Sequence, residues 1–282
     1  MISDTLLSIK HIAHGRVRTN GEGVSATHPM DESTLLSDLR HAIANGELEA
    51  WYQPQVDVET GRIVAVEALC RWRHPLNGLL YPQSFIPLAD GTDLIVDIGR
   101  FMLEEACQSA AEWHAAGIGV EIAVNVSATQ LAVPAFFDDV ANIVTRARIQ
   151  PDILTIEITE SREILDVESA VERLSHLRAL GVGVSIDDFG TGFSSLEQLS
   201  TLPATEVKID QTLVQAEPAA AKSGLEVVIA IARDQGIRVV AEGIETQAQL
   251  DLIRELRVAR AQGYLIGGAA PKEVIQQLLS EQ

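Results

Sequence analysis

Two adjacent carboxylates, Asp187 and Asp188, follow a short run rich in β-branched residues at 184–186 and come directly before a glycine-rich stretch. Neighbouring carboxylates repel each other, and a divalent cation or a basic group beside them stabilises their ionised forms. Gly190 and Gly192 allow the backbone to take positive φ and to approach a ligand closely. The stretch therefore predicts a metal site at the tip of a strand, with helix capping by one of the aspartates as the alternative.

Polar side chains also close or interrupt six other apolar runs of the chain. They are Glu67, Asn125, Glu157, Lys208, Glu242 and Gln262. Taken singly, each has an ordinary explanation as a cap, a turn residue or one partner of an ion pair. Burying them together is costly unless their charges are compensated, and a metal centre compensates all of them at once. Because the set offers oxygen ligands and no cysteine or histidine, it favours Mg²⁺ or Mn²⁺ over Zn²⁺ or copper.

The segments that carry these residues alternate between predicted strands and predicted helices. The runs at 50–56 and 62–69 are separated by a connection too short for a helical crossover, so these two strands are predicted to be antiparallel. Later strands are predicted at 121–126, 153–159, 182–187, 206–209, 237–241 and 258–262. Helices are predicted from Ser33 to near Gly46, at 92–116, 135–146, 167–180, 195–202, 225–235 and 246–256, and after Pro271.

Repeated strand and helix units within about 250 residues favour a closed barrel over an open doubly wound sheet. The α/β fold is predicted to be a modified TIM-type (β/α)₈ barrel, modified because its first strand is antiparallel. No glycine-rich dinucleotide fingerprint follows any predicted strand, which argues against a Rossmann fold. Active sites of such barrels lie at the carboxyl ends of the strands, so the polar residues above are expected to meet at one face.

Composition narrows the classes of protein that the chain fits. The 282 residues include 21 basic and 40 acidic side chains, a formal net charge of −19, which argues against binding to a nucleic-acid polymer or an anionic membrane surface. Cys70 and Cys107 lie in apolar segments, and neither a membrane-spanning run nor a signal peptide is apparent. We therefore expect a soluble cytoplasmic protein without membrane insertion. Residues 1–33 are predicted to be a leader, either partly disordered or a short helix, that precedes one domain at 34–280.

The segment from Glu67 to Arg71, Glu-Ala-Leu-Cys-Arg, resembles the signature that names the EAL family of cyclic di-GMP phosphodiesterases. Further stretches resemble that family in the same order along the chain: 52–54, 71–75, 125–127, 157–160, 184–196, 208–210, 241–245 and 262–264. The resemblance extends over about residues 34–280. It implies that the protein hydrolyses cyclic di-GMP to linear 5′-pGpG with two Mg²⁺ or Mn²⁺ ions.

The same resemblance assigns roles to the residues at the expected barrel mouth. It implies that the first ion is held by Glu67, Asn125, Glu157 and Asp187. Asp187 would also contact the second ion, together with Asp188. Two such cations can activate a water molecule and neutralise the charge of an in-line phosphoryl displacement. Lys208 would orient or acidify the attacking water, and Glu242 would be either the general base or a ligand of the second ion.

The remaining implied roles concern substrate binding and assembly. Arg71 would bind a phosphate through its planar guanidinium, and Gln53, Gln262 and Tyr264 would contact the dinucleotide. Glu160 resembles the residue that anchors the loop from Asp187 to Ser195, through which the family couples dimerisation to metal binding, so a homodimer is expected. Two alternatives stay open: a catalytically silent cyclic di-GMP receptor or interaction module, and a barrel enzyme that acts on another phosphoester or on an enolate.

Overall fold

The computed structural model describes residues 31–159, 167–190, 199, 201–216 and 218–282. Within them, eight strands close into a barrel in the order β1-β2-β4-β5-β6-β7-β8-β9, and β9 returns to β1. The barrel strands are β1 (Leu48–Asp57), β2 (Ile63–His74), β4 (Glu121–Val126), β5 (Leu154–Thr159), β6 (Gly183–Phe189), β7 (Glu206–Ile209), β8 (Arg238–Ala241) and β9 (Arg260–Gln262). The predicted eight-stranded barrel is therefore confirmed.

Strand direction agrees with the modified barrel predicted from the short first connection. β1 is antiparallel to both β2 and β9, while the pairs from β2–β4 to β8–β9 are all parallel. Two further strands were not predicted: β3 (Gly78–Leu80) extends the sheet from β2, and β10 (Ala270–Pro271) pairs with β1 outside the barrel. Both are too short to give a sequence pattern of their own.

Ten α-helices occur among the described residues. They are α1 (Glu32–Ala42), α2 (Pro82–Ala89), α3 (Asp93–Ala115), α4 (Ala128–Leu131), α5 (Phe136–Ala147), α6 (Val167–Ala179), α7 (Gln211–Val214), α8 (Pro218–Asp234), α9 (Gln247–Glu255) and α10 (Lys272–Ser280). The sequence analysis missed the short helices α2, α4 and α7. It also started α8 seven residues late, because 218–224 is rich in alanine and lacks an apolar period although proline and alanine suit a first helical turn.

Two predicted segments lie largely outside the described residues. They are the leader, of which 1–30 are not described, and the helix at 195–202 that the aspartate-capping alternative requires. Among the helices that are described, none combines the length and apolar character needed to cross a membrane. The longest, α3, packs Leu94, Ile98 and Met102 against the barrel, and Thr92 caps it by accepting a hydrogen bond from the Leu94 amide.

The amino end of the barrel is closed by a set of ion pairs. Glu121, Glu206, Arg238 and Arg260 are the first residues of β4, β7, β8 and β9. Arg260 Nη2 lies 2.6 Å from Glu121 Oε1, and Arg238 Nε lies 3.0 Å from Glu206 Oε2. Glu206 and Arg260 are buried. Two negative and two positive groups thus meet where the chain enters the parallel strands.

Candidate active site

The predicted site residues meet at the opposite, carboxyl end of the barrel, around the ammonium group of Lys208. Nζ of this buried lysine lies close to four carboxylates: 2.9 Å from Glu242, 3.0 Å from Glu157, and 3.3 Å from both Glu67 and Asp187. These side chains come from strands β2, β5, β6 and β7 and from the residue after β8. Residues up to 175 positions apart in the sequence therefore form one cluster, as parallel strands that share a carboxyl edge require.

β2 continues beyond its predicted end at residue 69, so Glu67 lies well inside the strand. It runs on to His74, because the β1–β2 hairpin stays paired beyond the barrel rim as far as Leu48 opposite Trp72. Only 65–68 of this strand pair in parallel with β4. The two arms of the hairpin therefore project past the cluster, and the residues after Glu67 form one wall above it.

A β-bulge brings both aspartates of the Asp187-Asp188 pair to the cluster. The pairing of β6 with β7 passes from Ile186 opposite Val207 to Phe189 opposite Ile209, so β6 has one extra residue. Asp188 takes a left-handed conformation with φ of 55°. In a regular strand consecutive side chains point to opposite faces, and a bulge changes this alternation locally. Carboxylate oxygens of Asp187, Asp188 and Glu242 consequently lie within 4.8 Å of one another.

Glu67 is the best satisfied carboxylate of the cluster. Asn125 Nδ2 donates to its Oε1 over 2.6 Å, and Gln262 Nε2 donates to its Oε2 over 2.6 Å. The amide of Gln262 is itself oriented by Gln55, whose Nε2 donates to Gln262 Oε1 over 2.9 Å. Burial raises the pKa of Glu67, but Lys208 and these donors outweigh it and hold the pKa below its ordinary range. The sequence analysis missed Gln55, although it lies two residues after Gln53 and therefore on the same strand face.

The other carboxylates hold protons more tightly. Burial raises the pKa of Glu242 to about 8 although Lys208 opposes the shift, and burial together with the Asp187 charge raises the pKa of Asp188 to about 6. Burial also raises the pKa of Glu157 and of Asp187. For Lys208, burial alone would lower the pKa, but the surrounding carboxylates raise it well above the ordinary value. The single positive charge of Lys208 therefore does not balance the carboxylates that surround it.

The donor set fits a hard divalent cation. Five carboxylates, those of Glu67, Glu157, Asp187, Asp188 and Glu242, share one lysine, and they offer oxygen atoms of the kind that Mg²⁺ and Mn²⁺ prefer. Glu157 Oε1 is buried and has no hydrogen-bond partner among the described residues. An unpaired buried carboxylate oxygen is costly, and a cation would remove that cost.

Two cavities open above the cluster. One, of about 310 Å³, is lined by Gln53, Gln262 and Tyr264 as well as by Glu67 and Glu242. The other, of about 350 Å³, shares Glu67, Leu69, Gln83 and Asp188 with the first and extends between β4 and apolar side chains of α3. The ring of Tyr264 is exposed, and Gln53 donates to the carbonyl oxygen of Gly267 over 3.2 Å. A polar groove therefore lies directly over the carboxylates.

Arg71 and Glu160 complete the predicted set. Arg71 is buried on β2, four residues after Glu67 and on the same face of the strand. Its Nη1 donates to the carbonyl oxygen of Cys70 over 2.9 Å. Glu160, the predicted loop anchor, lies outside the described residues. Its role and the loop at 191–198 therefore stay predictions.

Comparisons with known proteins point to one family. A family model described as the EAL domain matches residues 36–269. The bifunctional diguanylate cyclase/cyclic di-GMP phosphodiesterase MucR of Pseudomonas aeruginosa is 41% identical over 246 residues, which are 86% of this chain and 36% of that protein. The cyclic di-GMP phosphodiesterase PA2567 of the same organism is 38% identical over 246 residues, 84% of this chain and 42% of that protein. The chain thus spans about two fifths of the length of these curated relatives.

Solved structures support the same grouping. A MucR phosphodiesterase in complex with c-di-GMP is 41% identical, with a TM-score of 0.81 over 86% of this chain and 99% of that chain. The EAL enzyme Bd1971, bound to cAMP and cyclic di-GMP, is 28% identical, with a TM-score of 0.83 over 88% of this chain and 69% of that chain. Both comparisons cover more than four fifths of this chain.

Proposed function

Since the chain belongs to the EAL domain family, we propose that it is a phosphodiesterase that hydrolyses cyclic di-GMP to linear 5′-pGpG. The observation that carries the proposal is the cluster of five carboxylates around Lys208 beneath a polar groove. The printed names of the relatives support the same substrate, because two of them are cyclic di-GMP phosphodiesterases and two solved structures contain that nucleotide.

The cluster is proposed to hold two Mg²⁺ or Mn²⁺ ions. Glu67, Asn125, Glu157 and Asp187 would hold the first, and Asp187 would share the second with Asp188. The mutual proximity of Asp187, Asp188 and Glu242 favours, of the two roles open for Glu242, that of a ligand of the second ion. When bound, such an ion pair lowers the pKa of water and neutralises charge that develops on a transferring phosphoryl group.

Lys208 is proposed to orient the attacking water. Its ammonium group has three donors in a compact head, and the carboxylates of Glu157 and Glu242 on either side fix its position. Because it is buried and its pKa is raised, it stays charged over the whole working range of pH. A fixed positive charge beside the reacting phosphate also stabilises negative charge in the transition state.

Arg71 and three residues that line the groove are proposed to bind the dinucleotide. Arg71 would bind a phosphate through two parallel N–H groups, which suits an anionic substrate in a protein of net charge −19. Gln53 and the exposed ring of Tyr264 line the groove and would contact the bases or sugars. Gln262 lines the same groove, while its amide is held between Glu67 and Gln55, so it would also keep Glu67 oriented.

Turnover of cyclic di-GMP tests the proposal directly. The protein is incubated with cyclic di-GMP and Mg²⁺ or Mn²⁺, and the products are separated by chromatography. Formation of pGpG is expected, with loss in the presence of a chelator and in a Glu67→Gln variant. Glu59→Gln, at an exposed turn between β1 and β2, is the matched control. Binding without turnover would contradict the enzyme and favour the silent receptor, and turnover of a different phosphoester alone would contradict the substrate.

The homodimer implied by the resemblance is a separate proposal. Light scattering at working concentration tests it, with twice the 30.5 kDa chain mass expected and a single-chain mass as the contrary result.

A further inference from the structure

Arg71 shares a strand face with the carboxylate cluster. In the β1–β2 hairpin, Gln53 pairs with Glu67, Trp51 with Leu69, and Glu49 with Arg71. Alternate residues of a strand lie on the same face, so Arg71 faces the same side as Glu67. Trp51 is the diagonal neighbour of Arg71 on that face, at a distance that aromatic and long side chains bridge.

Two aromatic rings contact the guanidinium of Arg71. Its Cζ lies 5.5 Å from the centroid of the Trp51 ring and 5.0 Å from the centroid of the Tyr81 ring. Both distances are within the range of cation–π attraction. Arg71 is only 6% exposed, and its Nε has no hydrogen-bond partner among the described residues. The two rings thus restrict the guanidinium without using up its Nε donor.

The Trp51 ring and the backbone of Tyr81 have further hydrogen bonds. Trp51 Nε1 donates to Glu49 Oε2 over 3.2 Å, and Glu49 accepts two hydrogen bonds from Arg73, of 2.6 Å from Nε and 2.8 Å from Nη2. The carbonyl oxygen of Tyr81 accepts hydrogen bonds from the amide and the hydroxyl group of Ser84 at the start of α2. The Trp51 ring and the backbone of Tyr81 are therefore held by contacts that do not involve Arg71.

Trp51 and Tyr81, with the Arg71 guanidinium between them, form a clamp. This clamp lies next to residues that line the groove. Leu69, between Glu67 and Arg71 on the same strand face, lines both cavities, and so does Gln83, two residues after Tyr81. The Tyr81 ring itself is 54% exposed. Neighbours of Arg71 and of Tyr81 thus line the groove above the carboxylate cluster.

We propose that Trp51 and Tyr81 are positioning residues that hold the guanidinium of Arg71 ready for a substrate phosphate. The proposal deepens the proposed function and rests on it for the identity of the substrate. Arginine side chains lose considerable rotamer freedom when they bind, and a guanidinium already fixed between two rings loses less. The rings themselves do not touch the reacting atoms.

The first test uses the free protein and needs no substrate. Arginine side-chain signals are recorded by NMR for the wild type, Tyr81→Phe and Tyr81→Leu, with Arg71 assigned by its loss in Arg71→Met. Ring currents and restricted rotation are expected to shift the Arg71 Nε–H signal in the wild type and in Tyr81→Phe. In Tyr81→Leu, which keeps apolar bulk at an exposed position, the signal is expected to move towards that of a free arginine. Equal signals in all three proteins would overturn the clamp, whatever the substrate is.

The second test measures whether Tyr81 acts through Arg71. Tyr81→Leu is expected to raise KM for cyclic di-GMP about threefold to tenfold with kcat changed by less than about twofold, which corresponds to one cation–π contact. Tyr81→Phe is expected to rescue this loss because it keeps the ring. A double-mutant cycle compares the affinity for cyclic di-GMP with and without Arg71. In the Arg71→Met background, Tyr81→Leu is expected to change the affinity by less than about twofold, because the group that Tyr81 positions is absent.

Equal losses of affinity with and without Arg71 would overturn the clamp and assign Tyr81 to direct stacking on a base. Absence of cyclic di-GMP turnover in the wild type would instead refute the proposed function. The NMR comparison would then still decide the clamp, so the two failures are distinguishable.

Discussion

The two ends of the barrel bury charged side chains in opposite ways. At the amino end, Glu121 and Glu206 face Arg238 and Arg260, so that two negative groups meet two positive ones. At the carboxyl end, five carboxylates share Lys208. The first set is neutral as a whole, whereas the second carries a large negative excess.

This difference separates a structural cluster from a functional one. A partly buried set of matched ion pairs needs no further ion, because each charge finds a partner within the fold. An excess of carboxylates must take up protons or bind cations, and burial together with the neighbouring carboxylates raises the pKa of Glu157, Asp187 and Glu242. We therefore expect the carboxyl end to be the less stable of the two when no cation is bound.

The largest expected effect is on catalysis at the carboxyl end. Asp187→Asn removes one charge from the proposed shared ligand, and we expect turnover of cyclic di-GMP to fall by about 10³-fold or more, equivalent to several kcal/mol of metal-dependent stabilisation. The rate of pGpG formation at saturating Mn²⁺ measures it. An Asp187→Asn enzyme with activity near that of the wild type would show that the carboxylate excess has no catalytic use.

Replacing Lys208 tests the stability of the same end. In Lys208→Gln, the buried carboxylates lose their only lysine, and we expect the metal-free protein to lose about 3–5 kcal/mol of unfolding free energy. Urea denaturation after treatment with a chelator measures this loss. Addition of Mn²⁺ is expected to recover part of it, because the ion replaces the missing charge. An equally stable variant without metal would contradict the charge account.

The corresponding change at the amino end is expected to be smaller and insensitive to metal. Arg260→Met leaves Glu206 with Arg238 as its remaining partner, so we expect a loss of about 1–3 kcal/mol. Urea denaturation with and without Mn²⁺ is expected to give the same loss, and turnover at saturating substrate is expected to be unchanged. If Arg260→Met reduced turnover as much as Asp187→Asn does, the amino end would not be a purely structural cluster, and the comparison would be contradicted.

The pH dependence of stability sharpens the same comparison. Glu242 binds its proton with a pKa of about 8 in the folded protein and near the ordinary glutamate value of about 4.3 when unfolded. Between these values the folded state carries the proton that the unfolded state has lost, so the unfolding free energy of the metal-free protein falls as pH rises from about 5 to about 8. Urea denaturation across this window measures the fall. Glu242→Gln is expected to reduce it, and a rise in stability over the same range would contradict the expected sign.

The sequence predicts the barrel because most of its strands contain a short apolar run between polar connections. The bounds of β4 (Glu121–Val126) and β7 (Glu206–Ile209) agree with the prediction to the residue. The continuation of β2 to His74 was not predictable, because residues 71–74 become a strand by pairing with 48–49 of β1 and with 78–80 of β3. Their structure depends on a tertiary contact rather than on local pattern.

The meeting of the site residues at one end of the barrel was predictable from the sequence. The contacts and backbone conformations that arrange them there were not. Polar residues at the ends of parallel strands share an edge, which brings Glu67, Asn125, Glu157 and Asp187 together. The bulge at Asp188 depends on the register of β6 against β7. The contacts of Gln55 with Gln262, and of Tyr81 with Arg71, join distant segments whose relative placement no local period encodes. The same holds for the ion pairs of the amino end, whose members look like ordinary first residues of strands.

Diffraction from crystals soaked in Mn²⁺, with anomalous differences recorded, tests the central claim most directly. The account predicts two anomalous peaks about 3.5–4 Å apart, surrounded by the side chains of Glu67, Asn125, Glu157, Asp187 and Asp188. Strong peaks elsewhere, with none among these five side chains, would contradict it.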